Sequence, residues 1–379
     1  MTTDEQIKLS VILPCRNEEE ALGLCIKKIT SIFNNNNIRG EIIVSDSSWD
    51  KSPQIARELG ARVIKHDKKG YGIAYQEGFK EARGEYIFMA DPDNTYDFNE
   101  IPRFLKYLEE DYDFVIGDRF GGTMEKEAMP LSHKYIGNPV LSSLFRLFFH
   151  TKINDVHCGM RAIKKESLDK LNLQTTGMEF ASEMIIKAIK NKLKTKELSI
   201  NYHDRKGQSK LNTLADGWRH LRFMLLYSPL FLFFMPGFIL FLIGIILLLI
   251  LYFNVSTISG VQFDYHPMFI ASLLTIVGYQ LIIFSLFAKT YAITHLSEEH
   301  KAMDKIHKYL TIEKVSLIGI LIALTGFAIY LFIFIKWFNS GFGPLEEIKN
   351  SIIALTLIVI GIQTISSSFM LSILGIEEK

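Results

Sequence analysis

The chain has 379 residues, a formal net charge of +1 at pH 7 and 48% hydrophobic residues, with a mean hydropathy of +0.17. That length exceeds one ordinary domain, and so even a charge balance leaves no global footprint for a nucleic-acid partner; basic chemistry has to come from local clusters. Cys15, Cys25 and Cys158 form no CxxC pair and have no His cluster at zinc spacing, so they read as reduced thiols of a cytosolic domain. Residues 1–8 are polar and lack the apolar core of a secretory signal, so the first hydrophobic span has to direct membrane insertion itself.

The soluble half begins with residues 9–13 (LSVIL), a short apolar run ending at Pro14 that reads as a buried strand. Residues 18–33 have helical periodicity, with Leu22, Ile26, Ile29 and Phe33 on one face. Residues 41–44 read as a second strand, followed by Asp46-Ser47-Ser48. Residues 52–59 are helical, 62–64 are a third strand, 78–82 lie in a helix, and 86–89 (YIFM) are a fourth strand ending at Ala90-Asp91. This alternation indicates an α/β domain with a mainly parallel, doubly wound sheet. Ligands of such sheets bind at the carboxyl ends of the strands, which makes residues 16–18, Asp46 and residues 91–95 the candidates.

Asp91-Pro92-Asp93 carries the most chemistry. Two carboxylates two residues apart, just past a buried strand, can share a hard divalent cation, and Pro92 fixes the backbone between them. Oxygen ligands suit Mg²⁺ or Mn²⁺, completed by waters and substrate phosphates. Alone, a DxD triplet also matches an ordinary turn. Residues 68–72 (KKGYG) offer glycines for close backbone approach and lysines for phosphate, or equally a solvated turn.

Two later segments point to a lipid surface. Residues 139–149 (PVLSSLFRLFF) are apolar but too short to span, and have Lys134, Arg146 and Lys152 nearby. They read as an interfacial helix near residues 137–150; a second is expected near 211–227, leading into the first span. A soluble core helix is the alternative for both. The expected boundary places a catalytic domain at 1–228 and a transmembrane domain at 229–379.

Four apolar runs occupy that second part, at about 229–253, 268–293, 315–338 and 351–374, each near the roughly 20 residues a membrane crossing needs. The loop 254–266 contains no Lys or Arg, whereas 289–314 contains Lys289, Lys301, Lys305, Lys308 and Lys314. The positive-inside rule then puts the second loop, the N-terminal domain and the C-terminus in the cytoplasm. Tyr252, Tyr265, Trp337 and Phe338 fall near span ends, and Asn254-Val255-Ser256 matches a glycosylation sequon. Few ionisable residues interrupt the runs, which fits an anchor or a lipid-facing wall better than an ion pump.

Jointly the motifs resemble the family 2 glycosyltransferases of GT-A fold. The segments are SVILPCRNEEEA (10–21), VSDSSWDKS (44–52), KKGYGIAYQEGF (68–79) and MADPDNTYDF (89–98). IGDRF (116–120), DVHCGMRA (155–162), TTGMEFASEM (175–184) and RKGQSKLNTLADGWRHLRFMLLYSP (205–229) are similar, more narrowly, to polyprenyl-phosphate (dolichyl-phosphate) mannose and glucose synthases, and closest to the archaeal dolichyl-phosphate-glucose synthase-like branch. The resemblance covers about residues 8–230. It implies that Pro14, Arg16, Glu18 and Asp46 hold the nucleoside, with Lys69 and Gly72 also on the donor side. It implies that Asp91 and Asp93 bind the metal and the donor diphosphate, with Thr95 nearby. Arg119 would touch the phosphates as a catalytic cation, and Arg205, Ser209 and Lys210 would grip the lipid phosphate. Arg16 stands where many members carry Tyr, and Ser45 where many carry the first Asp of a DD pair; both positions bear on base selection.

The implied reaction moves a hexose from a nucleotide diphosphate sugar to dolichyl or another polyprenyl phosphate. That acceptor is already anionic and needs no strong general base. It needs alignment and charge screening, which a metal on one side and a cationic clamp of Arg205, Lys206 and Lys210 on the other would supply, with Ser209 as donor and Gly207 opening the turn. A basic juxtamembrane loop that merely meets anionic lipid is the competing reading. Asp155, Glu179 and Glu183 read equally as sugar or acceptor contacts or as surface charge, and His157 as structural. Direct displacement would invert the anomeric centre. UDP-glucose or UDP-N-acetylglucosamine is the preferred donor, with GDP-mannose next. A processive polysaccharide synthase would carry a QxxRW-type motif, which WRHLR (218–222) is not; an inactive lipid-binding scaffold is disfavoured by the intact DPD and RKGQSK segments. Monomer or homo-oligomer is left open.

Overall fold

The computed structural model describes residues 7–207, 213–253, 257–258, 261–262, 265–295 and 311–375, with backbone alone at 213–214, 257–258, 261–262 and 295. The chain divides into two compact units, Met1–Met224 and Leu225–Lys379.

The first unit is built on seven strands: β1 (Leu9–Cys15), β2 (Gly40–Asp46), β3 (Arg62–Lys65), β4 (Tyr86–Met89), β5 (Phe114–Asp118), β6 (Arg161–Lys164) and β7 (Thr195–Ser199). Their order in the sheet is β3-β2-β1-β4-β6-β5-β7. All neighbours are parallel except β6, which runs antiparallel to both β4 and β5. Among the described residues eight α-helices connect or flank them: α1 (Leu22–Asn35), α2 (Ser52–Glu58), α3 (Tyr71–Glu81), α4 (Ile101–Glu109), α5 (Asn138–Phe149), α6 (Lys165–Leu171), α7 (Phe180–Lys190) and α8 (Thr213–Leu226). This is the GT-A architecture.

The core follows from the pattern. β1 and β4 lie at the middle of the sheet and read as unbroken apolar runs because both faces are covered; Val11, Ile12, Ile87 and Phe88 are fully buried. In α1, Leu22, Ile26, Ile29 and Phe33 face the core as their spacing requires. That helix starts at Leu22 rather than at residue 18. Asn17 adopts a left-handed φ of 55° and Glu18 donates its N–H to Ser52 Oγ at 2.9 Å, so both are held in the loop. The three cysteines are buried and unpaired.

In the second unit, four helices among the described residues are long and apolar enough to cross a membrane: Leu230–Phe253, His266–Thr294, Ile312–Asn339 and Ile348–Leu374. The first packs on the second, the second on the fourth, and the fourth on the third. Small residues let the backbones close up; a Cβ on Gly361 would come within 2.6 Å of the Ala323 nitrogen. Polar rungs link the second and fourth helices: Ser272 to Thr356 at 2.6 Å, Tyr279 to Thr364 at 2.5 Å and Gln280 to Gln363 at 2.9 Å. The sequon at 254–256 and Lys301, Lys305 and Lys308 lie outside the described residues.

Candidate functional site

Strand order reverses between β1 and β4, since β2 and β3 lie on one side and β6, β5 and β7 on the other. A crevice opens at such a switch point. Here it is a cavity of about 730 Å³, lined wholly by the first unit.

Asp91 and Asp93 follow β4 and both reach the cavity wall. Burial, and then the neighbouring Asp93 charge, push the Asp91 carboxyl up to about 7, with the Tyr71 hydroxyl and Arg205 pulling it back. Asp93 Oδ1 accepts from the Thr95 amide at 3.1 Å and from its hydroxyl at 2.5 Å, while Oδ2 lies 3.2 Å from Arg205 Nη1. Left-handed Asn94, with φ 68°, turns the chain between them. Gly159 sits against this pair: a Cβ there would stand 3.0 Å from both Asp91 Oδ2 and the Tyr96 hydroxyl. Two crowded carboxylates, one pushed up in pKa by burial and by the other's charge, form a donor set that fits a hard divalent cation. Among the described residues no third His, Cys, Asp or Glu joins them as a ready-made cage, so waters and a bound diphosphate would fill the remaining positions.

The cationic side comes from two arginines. Arg205 bridges the donor-side acids, with Nη2 3.4 Å from Glu18 Oε1 and Nη1 on Asp93; the Lys206 amide also donates to the Asp93 carbonyl at 3.0 Å. Arg119 follows β5 and is buried. It grips Asp155 through Nε at 2.6 Å and Nη2 at 2.8 Å, and its guanidinium lies 5.2 Å from the centroid of the Tyr202 ring. Burial works against its charge, but the Asp155 pair outweighs that and raises its pKa further, so Arg119 is a fixed cation of set orientation.

Pro14, Arg16, Glu18, Asp91, Asp93, Thr95, Arg119 and Arg205, all singled out from sequence, meet around this one cavity. Arg16 stacks its guanidinium 5.3 Å over exposed Trp49. Three others do not reach the wall. Asp46 is fully buried and tied to Lys65 Nζ at 2.8 Å; Lys69 is exposed beside the cavity residue Gly70; and Gly72 packs against backbone, where a Cβ would meet the Thr175 oxygen at 2.3 Å. Ser45 is buried too, at 3.1 Å from His66 Nε2. Ser209 and Lys210 lie outside the described residues. Of the three uncertain acids, Asp155 is the Arg119 partner, and Glu183 is consumed by the Gln174 and Thr175 amides and by Lys187. Glu179 keeps a buried Oε2 with no hydrogen-bond partner.

Sequence reasoning passed over Tyr71, Tyr202 and His220, which also line the cavity, and buried Arg161, which donates to the Cys158, Ala181 and Val156 carbonyls. No spacing rule marks them, because long-range packing brings them in.

His157 and His220 meet edge to face, ring centroids 4.4 Å apart. Burial is the main reason both stay neutral: His220 is pushed down to about 4 despite the help of Asp216, and His157 falls well below the usual range, with His220, Arg119 and Arg161 adding to the effect. An unfolded imidazole titrates near 6.5, so the unfolded chain takes up protons first and stability falls as pH drops from about 6.5 towards 4. For His220 the full shift amounts to about 3 kcal/mol. Thermal unfolding of the detergent-solubilised protein is therefore expected at lower temperature at pH 5 than at pH 7.5. The gap should narrow in His220→Gln; an unchanged gap would contradict it.

The glycosyl transferase family 2 model matches residues 10–171, and the family's C-terminal transmembrane region matches residues 286–375. The low-salt glycan biosynthesis hexosyltransferase Agl6 of Haloferax volcanii is 38% identical over 368 residues, covering 97% of this chain and 89% of that protein. A dolichyl-phosphate hexose transferase of the same organism is 32% identical over 210 residues, 55% of this chain and 89% of that one. The dolichol-phosphate mannosyltransferase of Pyrococcus furiosus is 27% identical over 222 residues, 57% of this chain and 63% of that one. Since the first of these likenesses runs through the sheet domain and the spans alike, the chain belongs to the family 2 glycosyltransferases and is an integral membrane enzyme of that family.

Proposed function

We propose that the protein transfers a hexose from a nucleotide diphosphate sugar to a polyprenyl phosphate such as dolichyl phosphate, with inversion at the anomeric carbon. The observation that carries this reading is the pairing of Asp91 and Asp93 with Arg205 and Arg119 around one cavity at the switch point. Two anionic phosphates have to be brought together there, and the cavity offers both acids for a cation and fixed cations of its own. The acceptor phosphate needs no deprotonation, which agrees with a site in which His157 and His220 are held neutral.

Asp91 and Asp93 would hold Mg²⁺ or Mn²⁺, which when bound neutralises charge on the departing diphosphate. Arg119, locked by Asp155, presents a guanidinium to the same charge without reorganising. Pro14, Arg16 and Glu18 lie where the nucleoside end would enter. Arg205, with Ser209 and Lys210 next in the chain, would receive the acceptor phosphate.

The membrane-facing side has support of its own. Leu131, Tyr135, Ile136, Val140 and Leu147 are exposed, while Phe145 and Ser142 of α5 face inward. Trp218 is exposed on α8, which ends four residues before the first span begins. Both helices suit a bilayer surface. The lysine-rich segment 289–314 favours a cytoplasmic active site.

The test is a donor panel. Purified protein with dolichyl phosphate and Mg²⁺ should transfer from one of UDP-glucose, UDP-N-acetylglucosamine or GDP-mannose, yielding a single lipid-phosphate-linked sugar. The UDP sugars are expected first, and GDP-mannose second, in view of the Pyrococcus relative. Polymer as product, or no transfer from any donor, would overturn the reading.

A further inference from the structure

Phosphate-handling residues account for one part of the cavity wall. His157, Asp216 and His220 also line it and have no task in that scheme. His220 is 7% exposed and its Nδ1 is anchored to buried Ser182 Oγ at 2.9 Å. Its Nε2 has no hydrogen-bond partner among the described residues, and His220 lines the cavity. His157 stands edge to face against it, with neither ring nitrogen hydrogen-bonded. Asp216 lies one helical turn before His220 on α8 and also pairs with Arg219 at 3.5 Å.

The charge of this group decides what it can bind. A phosphate would meet the Asp216 carboxylate there, while the arginines whose charge is felt at this group, Arg119 and Arg161, are engaged by Asp155 and by the Cys158, Ala181 and Val156 carbonyls. A sugar hydroxyl suits it, since a neutral imidazole gives or takes one hydrogen bond and a carboxylate accepts another. Resting on the proposed nucleotide-sugar reading, we infer that His220, steadied by Ser182 and backed by His157, is a hexose-hydroxyl contact that holds the transferred sugar of the donor. Fixing Nδ1 on Ser182 sets the tautomer and the ring angle, so that Nε2 meets one hydroxyl in one geometry. The same contact helps to choose between epimers, because an axial and an equatorial hydroxyl cannot both reach it.

Direct binding separates sugar from nucleotide. The full-length protein in detergent with Mg²⁺ is titrated with UDP-glucose, UDP-N-acetylglucosamine and GDP-mannose, and with UDP and GDP alone. His220→Gln and His220→Ala are expected to weaken the bound nucleotide sugar by about tenfold, the worth of one well-made hydrogen bond, and to leave the matching nucleotide diphosphate unchanged. Ser182→Ala, which keeps the ring but frees it, should shift sugar affinity the same way by a smaller factor, and serves if the His220 variants do not fold. Equal loss for sugar and nucleotide would reduce His220 to a structural residue. An unchanged sugar affinity with a raised KM for dolichyl phosphate would place it on the acceptor and overturn the inference. If the wild type binds none of the three nucleotide sugars, the proposed function fails first, with or without His220.

Discussion

Asp93→Ala is expected to lower hexose transfer by about three orders of magnitude, the scale on which a group stabilising transition-state charge acts. Alanine removes two things at once. It takes away a carboxylate from the pair with Asp91, and it strips Thr95 of the acceptor for both its amide and its hydroxyl. Asp93→Asn separates them, because Oδ1 remains for Thr95 while the charge is gone. Loss of transfer in both variants, with unchanged thermal stability in Asp93→Asn, would assign the effect to charge. Full activity in Asp93→Asn would remove Asp93 from the proposed chemistry. Product formation from the donor that serves the wild type is the measurement.

Arg205→Ala should produce two changes of opposite sense. Transfer is expected to fall by about a hundredfold, because a charge-assisted contact to the acceptor phosphate is lost. Affinity for Mn²⁺, followed by electron paramagnetic resonance without donor, should rise several-fold, because the guanidinium that now neutralises Glu18 and Asp93 no longer competes. A purely structural role would lower both. Arg205→Lys should recover only part of the transfer, since a single ammonium cannot span two carboxylates 3.4 Å and 3.2 Å from separate nitrogens.

Legibility in the sequence divides by distance along the chain. Strands β1 and β4, the buried face of α1 and the four spans depend on local apolar patterning and could be read from it. Arg16 and Glu18 after β1, and Asp91, Asp93 and Thr95 after β4, followed from the rule for parallel sheets, and they do line the cavity. Lys69 and Gly72 looked like a phosphate loop because glycine and lysine share that signature with backbone packing; Thr175, a hundred residues on, takes the space instead. Asp46 sat at the right strand end but spends its carboxylate on Lys65. His220 was hidden because its helix reads as amphipathic whichever face turns inward. Contacts with Ser182 and His157 mark the face that turns inward.

The reversed strand β6 explains how one stretch of chain can supply so much of this wall. In a sheet of uniform direction, only residues that follow a strand arrive at the carboxyl edge. Because β6 runs the other way, residues that precede it arrive there instead: Asp155 to lock Arg119, His157 to face His220, and Gly159 to leave room for Asp91. A single inversion of polarity thus opens a second supply line to the cavity, independent of the loops after β1, β4 and β5. The four residues of β6 span roughly 13 Å. Had that strand run with its neighbours, the same segment would enter at the far rim, one strand length from anything it now serves.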